Sequence, residues 1–414
     1  MIDRSLKDHV VSERHIESVL GAHLKTFMSV VSDLGYSPST IRTQLQLLTN
    51  FVRWIQENDV GISNIDKSIT DRFLTESDRK GALRRGDNKT LRRFLNHLRA
   101  EGIILYPEPV FNDFPLTSLK NRYKDYLLKE RGLSTVTVSR YWPYLQQFLL
   151  ERFGDRPMRL CELSPQDIDS FFLRHAHERT PKVAQLMVSA MRSFFRFLFR
   201  YGETKCDLAA AVPTVPAWRL SEVPKYLKPD EIEFLLESCD QTTPVGRRNY
   251  SILLLIARLG LRGGEVLTLE LDDINWRASE LTVRGKGQFR DHLPLPRDVG
   301  EALAIYLRND RPACPTRRVF IRMRAPCRGF KDSTTVSTIV RRAVQRSGLK
   351  PPIKGAHLLR HSLATDMLRK GASMTEIGEI LRHRSANSTE IYAKVDIEGL
   401  RSIARPWPVK GGVS

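Results

Sequence analysis

Two histidines and an arginine lie within five positions in the stretch GAHLLRHSLATDMLRKG, residues 355–371: His357, Arg360 and His361. Two histidines four residues apart on a helix can bind zinc, but the metalloprotease motif requires glutamate at the position occupied here by Leu358. A guanidinium offers a planar fork of donors that suits a phosphate group, and a nearby imidazole can donate or accept a proton. The stretch therefore favours phosphate chemistry by Arg360 and His357 over a metal site, and we expect His361 to pack in the core.

Three further stretches carry residues suited to the same chemistry. ARLGLRGGEVLTL contains Arg262 and Glu265, VRGKGQFRDHLPL contains Lys286 between two glycines, and EIGEILRHRSANSTEIYAKV contains His383 and Tyr392. The order Arg, Lys, His, Arg, His, Tyr along the chain resembles the motif set of the tyrosine recombinases, also called phage-type integrases. The resemblance covers about residues 225–400, and residues 111–212 resemble the core-binding domain of that family more loosely.

The resemblance implies a site that stabilises charge on a phosphodiester. Attack on phosphorus builds negative charge on the non-bridging oxygens, and preorganised donors lower the free energy of that state. By resemblance, Arg262 and Arg360 would bind those oxygens, His383 would add a donor, and Glu265 would fix the orientation of Arg262.

The resemblance also implies the nucleophile and the proton transfers. Tyr392 would attack phosphorus; a phenol has an ordinary pKa of about 10 and needs a base, for which His357 is the candidate. Lys286 would protonate the departing 5′ oxygen. A 3′-phosphotyrosyl bond would conserve the energy of the broken linkage, so we expect no metal, nucleotide or other cofactor.

Two positions depart from the family pattern. Gly263 and Gly264 follow Arg262, where the family often has a small hydroxyl residue, and Arg382 precedes His383, where the family usually has glycine. Glycine there would permit a positive φ, so Arg382 indicates an altered turn or a tolerated left-handed residue. Arg382 and Arg384 are also candidate phosphate contacts, with solvated surface residues as the alternative.

The net charge indicates a polyanionic partner. The chain has a formal charge of +19, and residues 246–414 hold 31 Lys and Arg against 16 Asp and Glu. Nucleic acid is the natural partner of such a basic surface. No apolar run is long enough to span a membrane and the N-terminus does not resemble a secretory signal, so we expect a cytoplasmic, nucleoid-associated protein. The five cysteines form no C-x-x-C pair and favour free thiols over disulfides or a zinc site.

The periodicity of apolar residues predicts a mainly α-helical chain with a small β-sheet in a C-terminal α+β domain. We expect an N-terminal helical module at 1–110, a helical core-binding domain at 111–215, a proline-rich linker at 216–230 and a catalytic domain with a C-terminal tail at 231–414. The two helical modules resemble each other at offsets of 97 and 100 residues. A duplicated core-binding-like module is therefore the interpretation of 1–110, against the alternative that amphipathic helices look alike.

We expect the helical module and the catalytic domain to bind duplex DNA with inverted half-sites. The resemblance implies a tetramer on two DNA sites, with accessory recombinases or other proteins as possible partners. The leading function is site-specific recombination for integration, excision or transposition of a mobile element. The alternatives are a type IB topoisomerase and a catalytically silent DNA-binding regulator. The candidate DNA contacts outside the catalytic set are Arg140, Lys182, Arg192, Arg196, Arg322, Arg324, Arg382 and Arg384.

Overall fold

The structure is a computed structural model. It describes residues 19–79, 81, 84, 86–106, 115–154, 156–215, 224–285, 290–385 and 388–395. The predicted fold class is confirmed, because helices dominate and the sheet has three strands. Among the described residues, no helix is long and apolar enough to cross a membrane.

Four α-helices form the described part of the N-terminal module. Ser37 begins the second helix by accepting a hydrogen bond from the Thr40 N–H at 3.3 Å, which satisfies one of the free donors of the first turn. The apolar faces of the helices meet in one core that includes Leu48, Phe51 and Phe94. The helices are α1 (Val19–Asp33), α2 (Pro38–Glu57), α3 (Lys67–Arg79) and α4 (Asp87–Ala100).

Four more α-helices lie in the second module, within residues 115–154 and 156–215. Ser134 begins the long helix of this module and accepts from the Thr137 N–H at 3.4 Å. A cluster of buried aromatic rings, including Phe148, Phe171 and Phe194, fills the core. The helices are α5 (Pro115–Asp125), which continues as a π-helical turn to Glu130, α6 (Thr135–Phe153), α7 (Pro165–His175) and α8 (Pro181–Arg200).

The two modules repeat the same local features in the same order. The shared features are a glycine with positive φ before the second helix, a serine that begins that helix, two fully buried apolar residues on the fourth helix and a glycine with positive φ after it. The pairs are Gly35 and Gly132, Ser37 and Ser134, Phe94 and Phe194, Leu98 and Leu198, and Gly102 and Gly202. The repeat extends to backbone hydrogen bonds, because the N–H groups of Ile103 and Glu203 donate to the carbonyls of Leu98 and Leu198, both at 2.9 Å.

Seven helices and the sheet make up the described C-terminal region. The strands β1 (Ile274–Asn275), β2 (Glu280–Arg284) and β3 (Arg290–Pro294) are antiparallel in the order β1-β2-β3, with Leu281 opposite Leu293. Most of the core lies around the buried helix α10. The helices are α9 (Pro229–Glu237), α10 (Pro244–Leu259), α11 (Gly263–Thr268), α12 (Arg297–Asn309), α13 (Thr334–Arg346), α14 (Ala356–Arg369) and α15 (Met374–Ile380).

One predicted helix is interrupted, and the interruption positions Arg262. The stretch YSILLLIARLGLRGGEVLTL reads as one apolar helix, but the structure ends α10 at Gly260, which has φ +60°, and begins α11 at Gly263. A side chain at Gly260 would be strained in this left-handed conformation, and its Cβ would lie 2.6 Å from Leu381 Cδ2. The break turns the chain so that Arg262 immediately precedes α11.

The chain divides into two compact units, and the first is discontinuous in sequence. It comprises residues 1–106 and 222–414, whereas residues 107–221 form the second unit. Within the first unit, the Cys327 N–H donates to the Leu34 carbonyl at 2.8 Å. Gly35 lies against the Cys327 side chain, because a Cβ at this position would be 2.7 Å from Sγ. The N-terminal module thus contacts the C-terminal region directly.

Candidate active site

Arg262 and Glu265 form a compact pair at the start of α11. The Glu265 carboxylate accepts from the Arg262 backbone N–H at 2.9 Å and from its Nη1 at 2.6 Å. The Arg262 Nη2 donates to the Arg382 carbonyl at 3.1 Å. Burial by itself raises the pKa of Glu265, but the neighbouring Arg382 and Arg262 outweigh it and hold the pKa below its ordinary value. Glu265 is therefore ionised at neutral pH and fixes the Arg262 side chain.

Arg382 points inward, so the structure corrects the predicted phosphate contact. The residue has φ +54°, so of the two predicted alternatives, an altered turn or a left-handed residue, the structure has the left-handed residue. Its side chain is only 5% exposed and donates to Glu265 Oε2 at 3.0 Å and to the Ile380 carbonyl at 2.9 Å. A guanidinium in this position supports Glu265 and, through it, Arg262. Arg382 is a positioning residue.

Arg360 lies on the first turns of α14 and is buried among backbone carbonyls. Its Nη1 donates to the Gly260 carbonyl and its Nη2 to the Leu381 carbonyl. Burial first, and then Arg262, lower the pKa of Arg360 to about 10. The group remains a cation at neutral pH, and its carbonyl partners fix the direction of the guanidinium plane.

Tyr392 lies in the short 3-10 helix Glu390–Val395 and is 1% exposed. Its ring packs with Ala364, Ile377 and Leu381 in a small cluster between α14 and α15. Burial raises the pKa of Tyr392 to about 12, against the charges of Arg360 and Arg262, which lower it. The phenol is therefore close enough to both predicted phosphate-binding arginines for their fields to act on it.

Two imidazoles contact the Tyr392 side chain. His361 Nδ1 is 2.8 Å from the Tyr392 hydroxyl oxygen. The His383 ring is stacked parallel to the Tyr392 ring with centroids 6.4 Å apart, and its Nδ1 lies 2.7 Å from the Thr389 hydroxyl. Burial, followed by neighbouring cationic or imidazole groups, lowers the pKa of His361 and of His383 to about 4. Both rings are neutral at pH 7.

His357 lies one helical turn before His361. Its side chain is exposed, and its ring centroid is 6.1 Å from that of His361. Partial removal from water, then Arg360 and Arg262, lower the pKa of His357. Lys286 lies outside the described residues, between the strands β2 and β3 that lead to it.

His361 is the site residue that sequence reasoning missed. We expected it to pack in the core, whereas its ring contacts the hydroxyl of Tyr392. A sequence signal was present, since His357 and His361 are spaced four apart and therefore share one face of α14. That spacing does not reveal that residue 392 returns to the same face.

The predicted DNA contacts of the second module differ in exposure. Arg140 and Arg196 are exposed, and so is Lys182 at the start of α8. Arg192 instead donates to the Val212 carbonyl and to the Thr214 hydroxyl, both at 2.9 Å. In this structure the Arg192 guanidinium joins α8 to the end of its own module, and its contact with phosphate stays a prediction.

In the catalytic region the remaining predicted contacts lie near the surface. Arg324 and Arg384 are exposed, and Arg322 is half-buried. The basic stretch that contains Arg322, residues 317–331, makes only single β-bridges, one of which joins Ile321 to Gly329. Whether these side chains meet DNA stays a prediction.

Comparison with known proteins agrees with this geometry. Residues 225–398 match the family model described as "Phage integrase family", and residues 121–202 match "Phage integrase, N-terminal SAM-like domain". A Sinorhizobium fredii protein named "Putative integrase/recombinase y4rA" is 40% identical over 95% of this chain and 95% of its own length. The tyrosine recombinase XerD of Mycobacterium tuberculosis is 32% identical over 68% of this chain and 94% of its own length.

The chain belongs to the tyrosine recombinase family. Membership makes it a tyrosine-type site-specific recombinase, an enzyme that breaks and rejoins DNA. Two solved structures share its fold. The XerH site-specific recombinase in a post-cleavage complex has a TM-score of 0.56 at 20% identity, covering 75% of this chain and 92% of that chain. A lambda integrase dimer bound to a core site has a TM-score of 0.51 at 19% identity, covering 71% and 98%.

Proposed function

We propose that this recombinase moves a mobile DNA element by exchanging strands between two duplex sites with inverted half-sites. Tyr392 attacks the scissile phosphodiester and forms a 3′-phosphotyrosyl bond, and the 5′-hydroxyl of a second strand then attacks that bond. The observation that carries the proposal is the position of Tyr392. Its hydroxyl lies 2.8 Å from Nδ1 of His361, the residue after Arg360 on α14, and its ring packs with Leu381, whose carbonyl accepts from Arg360. A phenol near two fixed guanidiniums suits attack on a phosphate held between them.

The remaining roles follow the family pattern. Arg262, Arg360 and His383 stabilise charge on the non-bridging oxygens, and Glu265 holds Arg262 in place. Lys286 protonates the 5′ oxygen as it leaves. His357 belongs to the same group of catalytic residues and supplies a second imidazole on the exposed face of α14.

The assembly that we propose is a homotetramer on two DNA sites. Strand exchange needs four cleavages, and each protomer supplies one tyrosine. The XerH and lambda integrase structures are complexes with DNA, and the lambda integrase complex is a dimer. These complexes support an oligomer on DNA for the present chain. Residues 107–221 supply a basic helical module for contacts with DNA away from the scissile phosphate.

A suicide substrate tests the function. A duplex nicked next to the scissile position lets the short product diffuse away, so the covalent complex accumulates and is seen in a denaturing gel. We expect a covalent complex with the native protein and none with Tyr392→Phe. Joint molecules formed from two separate duplexes would support recombination over simple relaxation. A protein that binds its duplex and forms no adduct would instead be a DNA-binding regulator.

A further inference from the structure

The contact between His361 and Tyr392 joins two residues that are 31 positions apart in sequence. The hydroxyl oxygen and Nδ1 are 2.8 Å apart, a normal distance for a hydrogen bond to a phenol. The rings meet edge to face, with centroids 5.6 Å apart and an angle of 60° between their planes. The contact therefore involves the oxygen that would attack phosphorus.

The direction of this hydrogen bond follows from the two protonation states. Tyr392 has a pKa of about 12 and keeps its proton at pH 7, whereas His361 has a pKa of about 4 and is unprotonated. The phenol must therefore donate and Nδ1 must accept, which leaves the remaining imidazole proton on Nε2. The bond orients the O–H of Tyr392 toward α14.

We propose that His361 is the proton acceptor for Tyr392 during DNA cleavage. This inference rests on the proposed function, because it assigns a residue to the cleavage step. As the bond between Tyr392 Oη and phosphorus forms, the bond from phosphorus to the 5′ oxygen breaks. The phenolic proton moves to His361 Nδ1, and the 5′ oxygen takes a proton from Lys286. Rejoining reverses both transfers, so no net proton or electron is consumed.

The timing of the transfer follows from the acidities. A phenol is a much weaker acid than an imidazolium with a depressed pKa, so the proton does not move before attack. Once the oxygen begins to bond to phosphorus it loses basicity, and an acceptor already at hydrogen-bond distance receives the proton in the same step. His357 is exposed and lies one turn away, which suits contact with the phosphate or with solvent.

The groups around His361 fix the expected pH dependence. His357 and Arg360 lie on the same helix, Tyr392 approaches from the 3-10 helix, and the His383 ring is parallel to the tyrosine ring. All three histidines have lowered pKa values and stay neutral from pH 7 to 9, and the arginines stay charged. Over that range the phenolate fraction of Tyr392 rises about tenfold per pH unit, because its pKa lies above the range.

The experiment measures single-turnover cleavage of the nicked duplex from pH 7 to 9. His361→Phe keeps a ring and removes the acceptor, whereas His361→Asn keeps an oxygen near the Nδ1 position and cannot take a proton. We expect both variants to cleave about 100-fold more slowly at pH 7. Without a base they depend on the phenolate, so their rates should rise about tenfold per pH unit while the native rate stays nearly constant.

A DNA substrate with sulfur at the leaving 5′ position distinguishes the proton acceptor, His361, from the proton donor, Lys286. A thiolate leaves without a proton, so a duplex with sulfur in place of the scissile 5′ oxygen should restore cleavage to Lys286→Ala and not to His361→Phe. His23→Asn, in the N-terminal module, is the matched histidine control and should match the native protein. Gel shifts on the same duplex verify that all variants bind DNA.

Several results would overturn the inference while leaving the function intact. One is a native protein that forms the adduct while both His361 variants cleave within threefold of its rate. Another is a pH profile of either variant that runs parallel to the native profile, which would indicate a purely structural role. If His361→Phe does not fold, the cleavage rates of His361→Asn from pH 7 to 9 test the inference alone. Failure of the native protein to form any adduct would refute the proposed function instead.

Discussion

Replacing Glu265 with glutamine tests whether one buried carboxylate holds the arginine cluster together. Glu265 is 6% exposed and the Arg382 side chain 5%, so the pair at 3.0 Å is shielded from water. A neutral amide would leave the Arg382 charge buried without a counter-ion. Loss of one partner of a buried pair costs about 3–5 kcal/mol, and the remaining amide oxygen favours the lower end, about 3 kcal/mol.

Two measurements test the effect of Glu265→Gln, one on stability and one on cleavage. The first unit has about 300 residues, so at an unfolding entropy of about 2.1 cal/mol/K per residue we expect the melting temperature to fall by roughly 5 °C. Arg262 also loses the acceptor at 2.6 Å that orients it, and a displacement of about 1 Å in a substrate-binding group slows reaction by about 100-fold. Calorimetry would measure the first effect and suicide-substrate cleavage the second, at a temperature where the variant is folded.

Glu301→Gln is the matched control. Glu301 pairs with Arg297 on the surface of α12, where both side chains are well exposed, and we expect no measurable change in melting temperature or cleavage. The reasoning would be refuted if Glu265→Gln melted within 2 °C of the native protein and cleaved at its rate, because the buried carboxylate would then neither stabilise Arg382 nor orient Arg262.

Two further predictions concern stability. Folding lowers the pKa values of His361 and His383, so the unfolded chain binds protons more readily than the folded chain. The free energy of unfolding is therefore greatest above pH 6.5 and falls as the pH drops toward 4. Urea midpoints at pH 7 and 5 should show this fall, with a smaller one in His361→Asn, and equal midpoints would contradict it. Gly35→Ala and Gly132→Ala both force alanine into a positive φ, at about 1–2 kcal/mol, but only the first meets Cys327. Gly35→Ala should therefore melt lower and label faster at Cys327, and equal behaviour of the two variants would argue against the contact.

Local sequence patterns revealed most of the candidate site and the fold class. The order of Arg262, Arg360 and Tyr392 predicted a phosphate site through its resemblance to the tyrosine recombinases, and alternation of apolar residues predicted the strands. The predicted DNA contacts, the tetramer and the role of Lys286 stay predictions.

Three features could not be found in this way, because each depends on residues distant in sequence. The lack of space for a side chain at Gly260, at the end of α10, depends on the approach of Leu381, about 120 residues later. The inward direction of Arg382 depends on a left-handed turn and on Glu265. The contact of His361 forms only when the chain returns at Tyr392.

The hydrogen bond between Leu34 and Cys327 can form only late in translation. The first four helices have a core of their own, but their docking partner is translated nearly 300 residues later. At about 5–20 residues per second, the Leu34–Gly35 turn stays uncovered for roughly 15–60 s while the entire second unit emerges and folds. A nascent chain that stalls before Cys327 would therefore expose this turn to proteases, and a completed chain would shield it.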